Sequence, residues 1–211
     1  MALYVVCTYL IFAYICKAIN LKTDNMKEAL KFYKDFPKEG IVFVDIIPLL
    51  QDKKIFAEVI EKLGSMLSAP NIAAPEARGF LFAAPLLTSK PEVESIIPLR
   101  KSGKLPYNEG DLCDVEIEKE YGSDHLFYRL SDIAAAKADG DEIHISLLDD
   151  LLATGGTAEG VARSLMGQKI VKDGKEYKVV IDEFLFIVEL DFLAGKEHLE
   201  KIAPVKSLIH L

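Results

Sequence analysis

The stretch from His144 to Thr157, His-Ile-Ser-Leu-Leu-Asp-Asp-Leu-Leu-Ala-Thr-Gly-Gly-Thr, limits this chain to few architectures. An apolar run bounded by a turn reads as a buried strand. The two glycines form the turn, and a helical pattern follows from Ala158 to Met166. Strand, glycine turn and helix make one half of a parallel α/β unit, so the expected fold class is α/β with a mostly parallel sheet. Such sheets take their ligands at the carboxyl ends of the strands, where Asp149 and Asp150 fall.

The residue types at this spacing suggest a ligand. The loop Ala153, Thr154, Gly155, Gly156 and Thr157 can wrap N–H groups around a phosphate, since both glycines permit positive φ and close approach. Its threonines add hydroxyl donors, and the helix that follows adds its positive end. Asp149 and Asp150 suit two ribose hydroxyls, or a magnesium ion held partly through water. Carboxylates would repel a bare phosphate, so a sugar or metal must lie between; together these describe a sugar phosphate. No Lys follows the glycines, as a Walker loop requires, and the third glycine of a dinucleotide fingerprint is absent.

Leu-Leu-Asp-Asp-Leu-Leu-Ala-Thr-Gly-Gly-Thr resembles the signature of the type I phosphoribosyltransferases, whose common ligand is 5-phosphoribosyl-1-pyrophosphate. An acidic strand end before a Gly-Gly turn explains the turn, but not both acids and both threonines. The implied fold is a central, mostly parallel sheet flanked by helices, with a small hood and a flexible lid loop.

Three further segments resemble the adenine phosphoribosyltransferases in particular. Asp35 to Asp45, Asp-Phe-Pro-Lys-Glu-Gly-Ile-Val-Phe-Val-Asp, matches their purine-side segment. The resemblance implies backbone contacts to adenine from Val42 and Val44. It implies stacking on Phe43, worth about 1–3 kcal/mol by analogy with base–aromatic stacking. The family usually has Arg at Val44, and a backbone contact survives that change. An edge strand with a core Phe accounts for the same residues. Glu-Ala-Arg-Gly-Phe, at Glu76 to Phe80, resembles the pyrophosphate loop, with Glu76 and Ala77 at its turn. Arg78 can grip oxygens bidentately and Gly79 lets backbone approach. The resemblance implies a cis peptide at Glu76–Ala77, and Pro75 departs from the family's apolar residue. Arg100-Lys101-Ser-Gly-Lys104-Leu-Pro resembles a second pyrophosphate clamp, one that can reach across a homodimer interface; a solvated basic loop is the plainer reading.

Tyr107 to Gly122 is polar and ends Glu-Lys-Glu-Tyr-Gly, resembling the hood that shields an oxocarbenium-like transition state from water. It is about three residues longer than is usual, and an ordinary charged hairpin is the alternative. The resemblance makes Glu120 the residue that moves the purine proton, beside Arg78 as the other catalytic residue. Tyr121 would cover the ribose or pyrophosphate. It also implies Mg²⁺, held through pyrophosphate and water with Asp149 and Asp150.

The chain has 33 acidic against 25 basic residues, a net charge of −8. A nucleic-acid partner is therefore not expected, because neutralising phosphates needs a basic face. Cys7, Cys16 and Cys113 have no metal or CxxC spacing, and their odd number argues for reduced thiols and a cytoplasmic protein. Leu3 to Cys16 is apolar, but short for a membrane span and without a basic flank. Residues 1–25 read as an extension, either a packed helix or a segment upstream of a start at Met26. Residues 26–211 read as one phosphoribosyltransferase domain. An amphipathic helix is expected over Lys27–Tyr33 and another over Ile55–Leu67, with a hairpin around Lys172-Asp173-Gly174-Lys175. His125, His144, His198 and His210 receive no role.

The expected reaction converts adenine and phosphoribosyl pyrophosphate to AMP and pyrophosphate. The alternatives are transfer to another purine base, or a regulator that binds phosphoribosyl pyrophosphate without turning it over.

Overall fold

The computed structural model describes residues 25–118 and 123–211. These fall into two compact units, one ending at Val59 and one running from Ile60 to Leu211.

The first unit holds a helical turn, α1 (25–29), then strands β1 (Lys31–Lys34) and β2 (Val42–Asp45), paired antiparallel. The helix expected through Tyr33 therefore stops early. Residues 31–34 are all exposed, so their helical spacing has no core to face, and they pair with β2 instead. The turn between the strands closes on Asp35, which accepts the Gly40 N–H at 2.8 Å. Helix α2 (Ile47–Gln51) starts where Asp45 accepts the Ile47 N–H at 2.9 Å. Asp52 caps the next helix, α3 (Lys53–Met66), accepting the N–H groups of Lys54 and Ile55.

The second unit is built on β3 (Asn71–Pro75), α4 (Arg78–Ser89), β4 (Ser95–Leu99), β5 (Leu112–Glu118), β6 (Ser123–Arg129) and α5 (Leu130–Ala135). Then come β7 (Glu142–Leu152), α6 (Gly156–Met166), β8 (Lys169–Lys172), β9 (Lys175–Glu189), a 3₁₀ turn (Asp191–Leu193), α7 (Gly195–Leu199) and β10 (Val205–His210). The sheet runs β10-β9-β7-β3-β4, every neighbour parallel, with β8 antiparallel on the early part of β9. The β8–β9 hairpin turns on Asp173 and Gly174, both at positive φ, as a tight two-residue turn requires.

The sheet is central because its strands are apolar on both faces: β3 is buried throughout, and so is β9 from Glu183 to Glu189. Helix α4 packs on β3 and β7, and α6 on β7, β9 and β5. Strands β5 and β6 form a separate hairpin whose Val115, Ile117, Leu126 and Tyr128 join the main core. A bulge in the β7–β9 pairing, after Ile145, leaves Asp182 as the extra residue. No described helix is long and apolar enough to cross a membrane. The apolar stretch Leu3–Cys16 lies outside the described residues.

Candidate functional site

Asp149 and Asp150 lie near the end of β7, at the carboxyl end of the central sheet. Their neighbour in sequence is the turn that starts α6, where Gly155 takes φ 83° and a side chain would be strained. Gly156 is already helical, so only one of the two glycines uses the left-handed region. A hollow of about 100 Å³ sits here, lined by Asp149, Ala153, Thr154, Gly155, Gly156 and Thr157 among others. Thr154, Thr157 and the start of α6 line this anion-sized space, and a helix start with its free N–H groups and dipole suits an anion.

The acid pair is electrostatically costly as it stands. Asp150 is only 3 % exposed. Arg78 Nε lies 3.0 Å from Asp150 Oδ2, close enough for a charge pair but not aligned as a hydrogen bond. Asp149 accepts the Asp150 backbone N–H at 2.8 Å. Burial pushes the Asp149 carboxyl well above the usual carboxylate range, and the adjacent Asp150 charge adds to it. Burial also raises Asp150, against the pull of Arg78.

Arg78 connects the acids to a second cavity. It opens α4 directly after the cis peptide Glu76–Ala77, and Gly79 follows. A Cβ on Gly79 would come within 3.0 Å of the Pro75 ring and 3.1 Å of the Leu148 carbonyl. The glycine therefore serves helix–strand packing, where the sequence suggested room for a ligand. Pro75 ends β3 opposite Leu99, a strand terminus that tolerates proline.

The second cavity, about 620 Å³, is lined by Glu76, Ala77, Arg78, Phe80, Arg100, Lys101 and Lys104. Arg100 binds the Glu76 carboxylate through Nε and sits 5.8 Å over the Phe80 ring. Lys104 Nζ lies 3.6 Å from Glu76. Burial pushes Glu76 up, but hydrogen bonds from Arg100 and the Lys101 N–H, with the Lys104 charge, outweigh it and hold the carboxyl below its usual range. Backbone bonds between Arg100 and Phe127, 2.8 and 2.7 Å, tie this cluster to the β5–β6 hairpin.

The hairpin, residues 112–129, overlaps only part of the 107–122 stretch read as a hood and fits an ordinary hairpin equally, with Glu118 opposite Ser123 at its far end. Glu120 and Tyr121 lie outside the described residues. In the first unit, the Val44 side chain is buried and Phe43 meets Phe36 edge to face at 5.2 Å, whereas Val42 is exposed. Val44 is buried as a whole residue and pairs with Phe32 in the β1–β2 ladder.

Two contributors escaped the sequence reading. A Cβ on Gly195 would lie 2.1 Å from the Ala153 carbonyl, so the start of α7 braces the backbone of the Ala153–Thr157 loop through a contact only glycine allows. Phe186, in β9, forms part of the hollow's wall. Neither has a local signal: Gly195 is 42 positions from Ala153, and Phe186 reads as core.

No family profile matches the chain. Single relatives do. The adenine phosphoribosyltransferase of Maridesulfovibrio salexigens is 41 % identical over 192 residues, covering 89 % of this chain and 99 % of that one. The crystal structure of the Thermoanaerobacter pseudethanolicus adenine phosphoribosyltransferase has a TM-score of 0.72 at 38 % identity, covering 90 % of this chain and 99 % of that one. The Saccharomyces cerevisiae enzyme, solved with adenine and an imino-altritol bisphosphate, has a TM-score of 0.69 at 31 % identity and the same two coverages. These relatives all carry the adenine name, so the other-base and regulator readings are not favoured. The parallel sheet, the acid pair beside a donor-lined hollow and this likeness agree: the chain belongs to the adenine phosphoribosyltransferase family.

Proposed function

We propose that this chain transfers the phosphoribosyl group of phosphoribosyl pyrophosphate to adenine, yielding AMP and pyrophosphate. One observation carries the reading: Asp149, Asp150 and Arg78 join an anion-sized, N–H-lined hollow to a cationic cavity. A substrate with phosphate at one end, pyrophosphate at the other and a ribose between them matches that charge sequence.

In this reading the loop from Ala153 to Thr157 holds the 5-phosphate, and the acid pair holds the ribose. As the anomeric bond breaks, positive charge develops at the sugar's C1 atom and negative charge on the leaving pyrophosphate. Asp149 and Asp150 stabilise the first, and Arg78, Arg100, Lys101 and Lys104 the second. Losing one well-placed donor of this kind typically costs about 3–4 kcal/mol in the barrier. Glu76 keeps Arg100 and Lys104 together until pyrophosphate competes for them. The backbone of Val42 and Val44 and the ring of Phe43 read the base. Glu120 moves the purine proton and Tyr121 covers the site.

The acid pair also fits Mg²⁺: two hard oxygen donors, raised by burial, with one buried oxygen lacking a hydrogen bond. Bound there through water and pyrophosphate, the ion would neutralise charge on the leaving group. A homodimer and a cytoplasmic location belong to the same proposal. An AMP-formation assay tests it. AMP should form from adenine, depend on Mg²⁺, and exceed nucleotide formation from hypoxanthine, guanine or xanthine. Binding of phosphoribosyl pyrophosphate without pyrophosphate release would refute catalysis.

A further inference from the structure

Glu189, Asp191 and His210 meet where β9 and β10 end. Glu189 and His210 are partners on neighbouring parallel strands. Asp191 follows in the 3₁₀ turn, its N–H donating to the Leu211 carbonyl at 3.0 Å, while the Leu211 N–H donates to the Glu189 carbonyl at 2.9 Å. The backbone thus fixes all three positions. One imidazole nitrogen and one oxygen from each carboxylate lie within 4.8 Å of one another.

The pair distances suit a single small ion. His210 Nδ1 is 2.9 Å from Asp191 Oδ1, a hydrogen bond that an ion would replace, and 3.8 Å from Glu189 Oε2. Ligands on a tetrahedral ion with bonds of about 2.0–2.1 Å lie roughly 3.3 Å apart, between those two values. A second observation comes from burial. Glu189 is 4 % exposed, and its Oε2, the atom facing His210, accepts no hydrogen bond. A buried carboxylate oxygen without a donor is destabilising, and a cation satisfies it. Asp191 and His210 are each about half exposed, which leaves an entry path and room for water as a further ligand.

We propose that Glu189, Asp191 and His210 bind a divalent cation of the Zn²⁺ class, at a site separate from the acid pair of β7. One imidazole with two carboxylates selects a borderline ion over the all-oxygen preference of Mg²⁺. Glu189 is also the β7 partner of Leu152, and the Leu190 N–H donates to the Leu152 carbonyl at 2.9 Å. An ion here ties β10 and β9 together beside the strand that enters the phosphate loop.

Co²⁺, added to untagged, metal-stripped full-length protein, is the probe. Its visible d–d absorption reports low-coordinate binding, and the melting temperature is read in parallel. One ion should bind, with a rise in melting temperature. His210→Ala and Asp191→Asn should each weaken binding at least about tenfold and abolish the rise. Both positions are half exposed, so the fold should survive. Asp149→Asn, which alters the other ion site, should leave the absorption unchanged. Absence of binding in the unaltered protein, retention of the band in His210→Ala, or its loss in Asp149→Asn would each overturn the proposal.

Discussion

Two buried acids in the same sheet meet opposite fates. Glu183, in β9, is 1 % exposed, about as buried as Asp150. It accepts hydrogen bonds from the Ser146 and Ser68 hydroxyls and from the Ser68 N–H at 2.9 Å, with Lys206 Nζ 3.3 Å away. Burial pushes it up, but these donors more than offset that, and its carboxyl lies below the usual range. Asp150 keeps one oxygen without a hydrogen bond and goes the other way. Similar exposure with opposite shifts separates an acid whose donors hold it ionised from one that burial leaves costly, as the proposed ligand site requires.

The comparison breaks most readily at Arg78. If the acid pair and Arg78 act together on the reacting sugar and its leaving group, Arg78→Ala should lower kcat/KM for AMP formation a hundredfold or more, about 3 kcal/mol. The fold should persist, with a lowered melting temperature, because Arg78 is partly exposed at a helix start but is the cation beside the buried Asp150. Near-normal turnover would remove Arg78 from the machinery.

Glu183→Gln should do the reverse. Several donors lose their ionised acceptor, and Lys206 its counter-charge, a loss of about 1–3 kcal/mol in stability. Chemical denaturation reads this directly, while KM for phosphoribosyl pyrophosphate should not move. A change in KM without a change in stability would place Glu183 with the functional acids.

That contrast also marks what a sequence can and cannot convey. The strand–turn–helix unit was legible because its parts are contiguous: strand, acids, turn and helix start occupy fourteen positions from His144 to Thr157. The β8–β9 turn was legible for the same reason, since Asp-Gly between apolar runs carries its own geometry. Lys27–Tyr33 misled because spacing alone does not say whether a core exists for a helix to face. The Glu183 network was invisible: Ser68 is 115 residues away and Ser146 is 37, and only the β-bulge at Ile145 sets the register that brings Ser146 beside it. The pairing of Glu76 with Arg100 spans 24 residues and joins the ends of two strands, β3 and β4. The sequence presents those residues as separate motifs, whereas in the fold the carboxylate holds the cations of the other.

The gentlest test of the comparison is thermal stability against pH. A group whose folded pKa is depressed contributes stability above its unfolded pKa and loses it as pH falls through the folded value; Glu183 is of this kind. A group whose folded pKa is raised contributes stability below its unfolded pKa and loses it as pH rises through the folded value; Asp149 and Asp150 are of this kind. Moderate acidification, to just above the ordinary carboxylate range, should therefore stabilise the ligand-free protein, and stronger acid should destabilise it as Glu183 protonates. Asp149→Asn removes the repelling charge, so its melting temperature at neutral pH should rise and the gain on mild acidification should shrink. Each kcal/mol recovered corresponds to about 2–4 °C in a domain of this size. An Asp149→Asn variant that melts lower than the unaltered protein, with its pH profile intact, would mean that the acid pair is satisfied without a ligand, as Glu183 is.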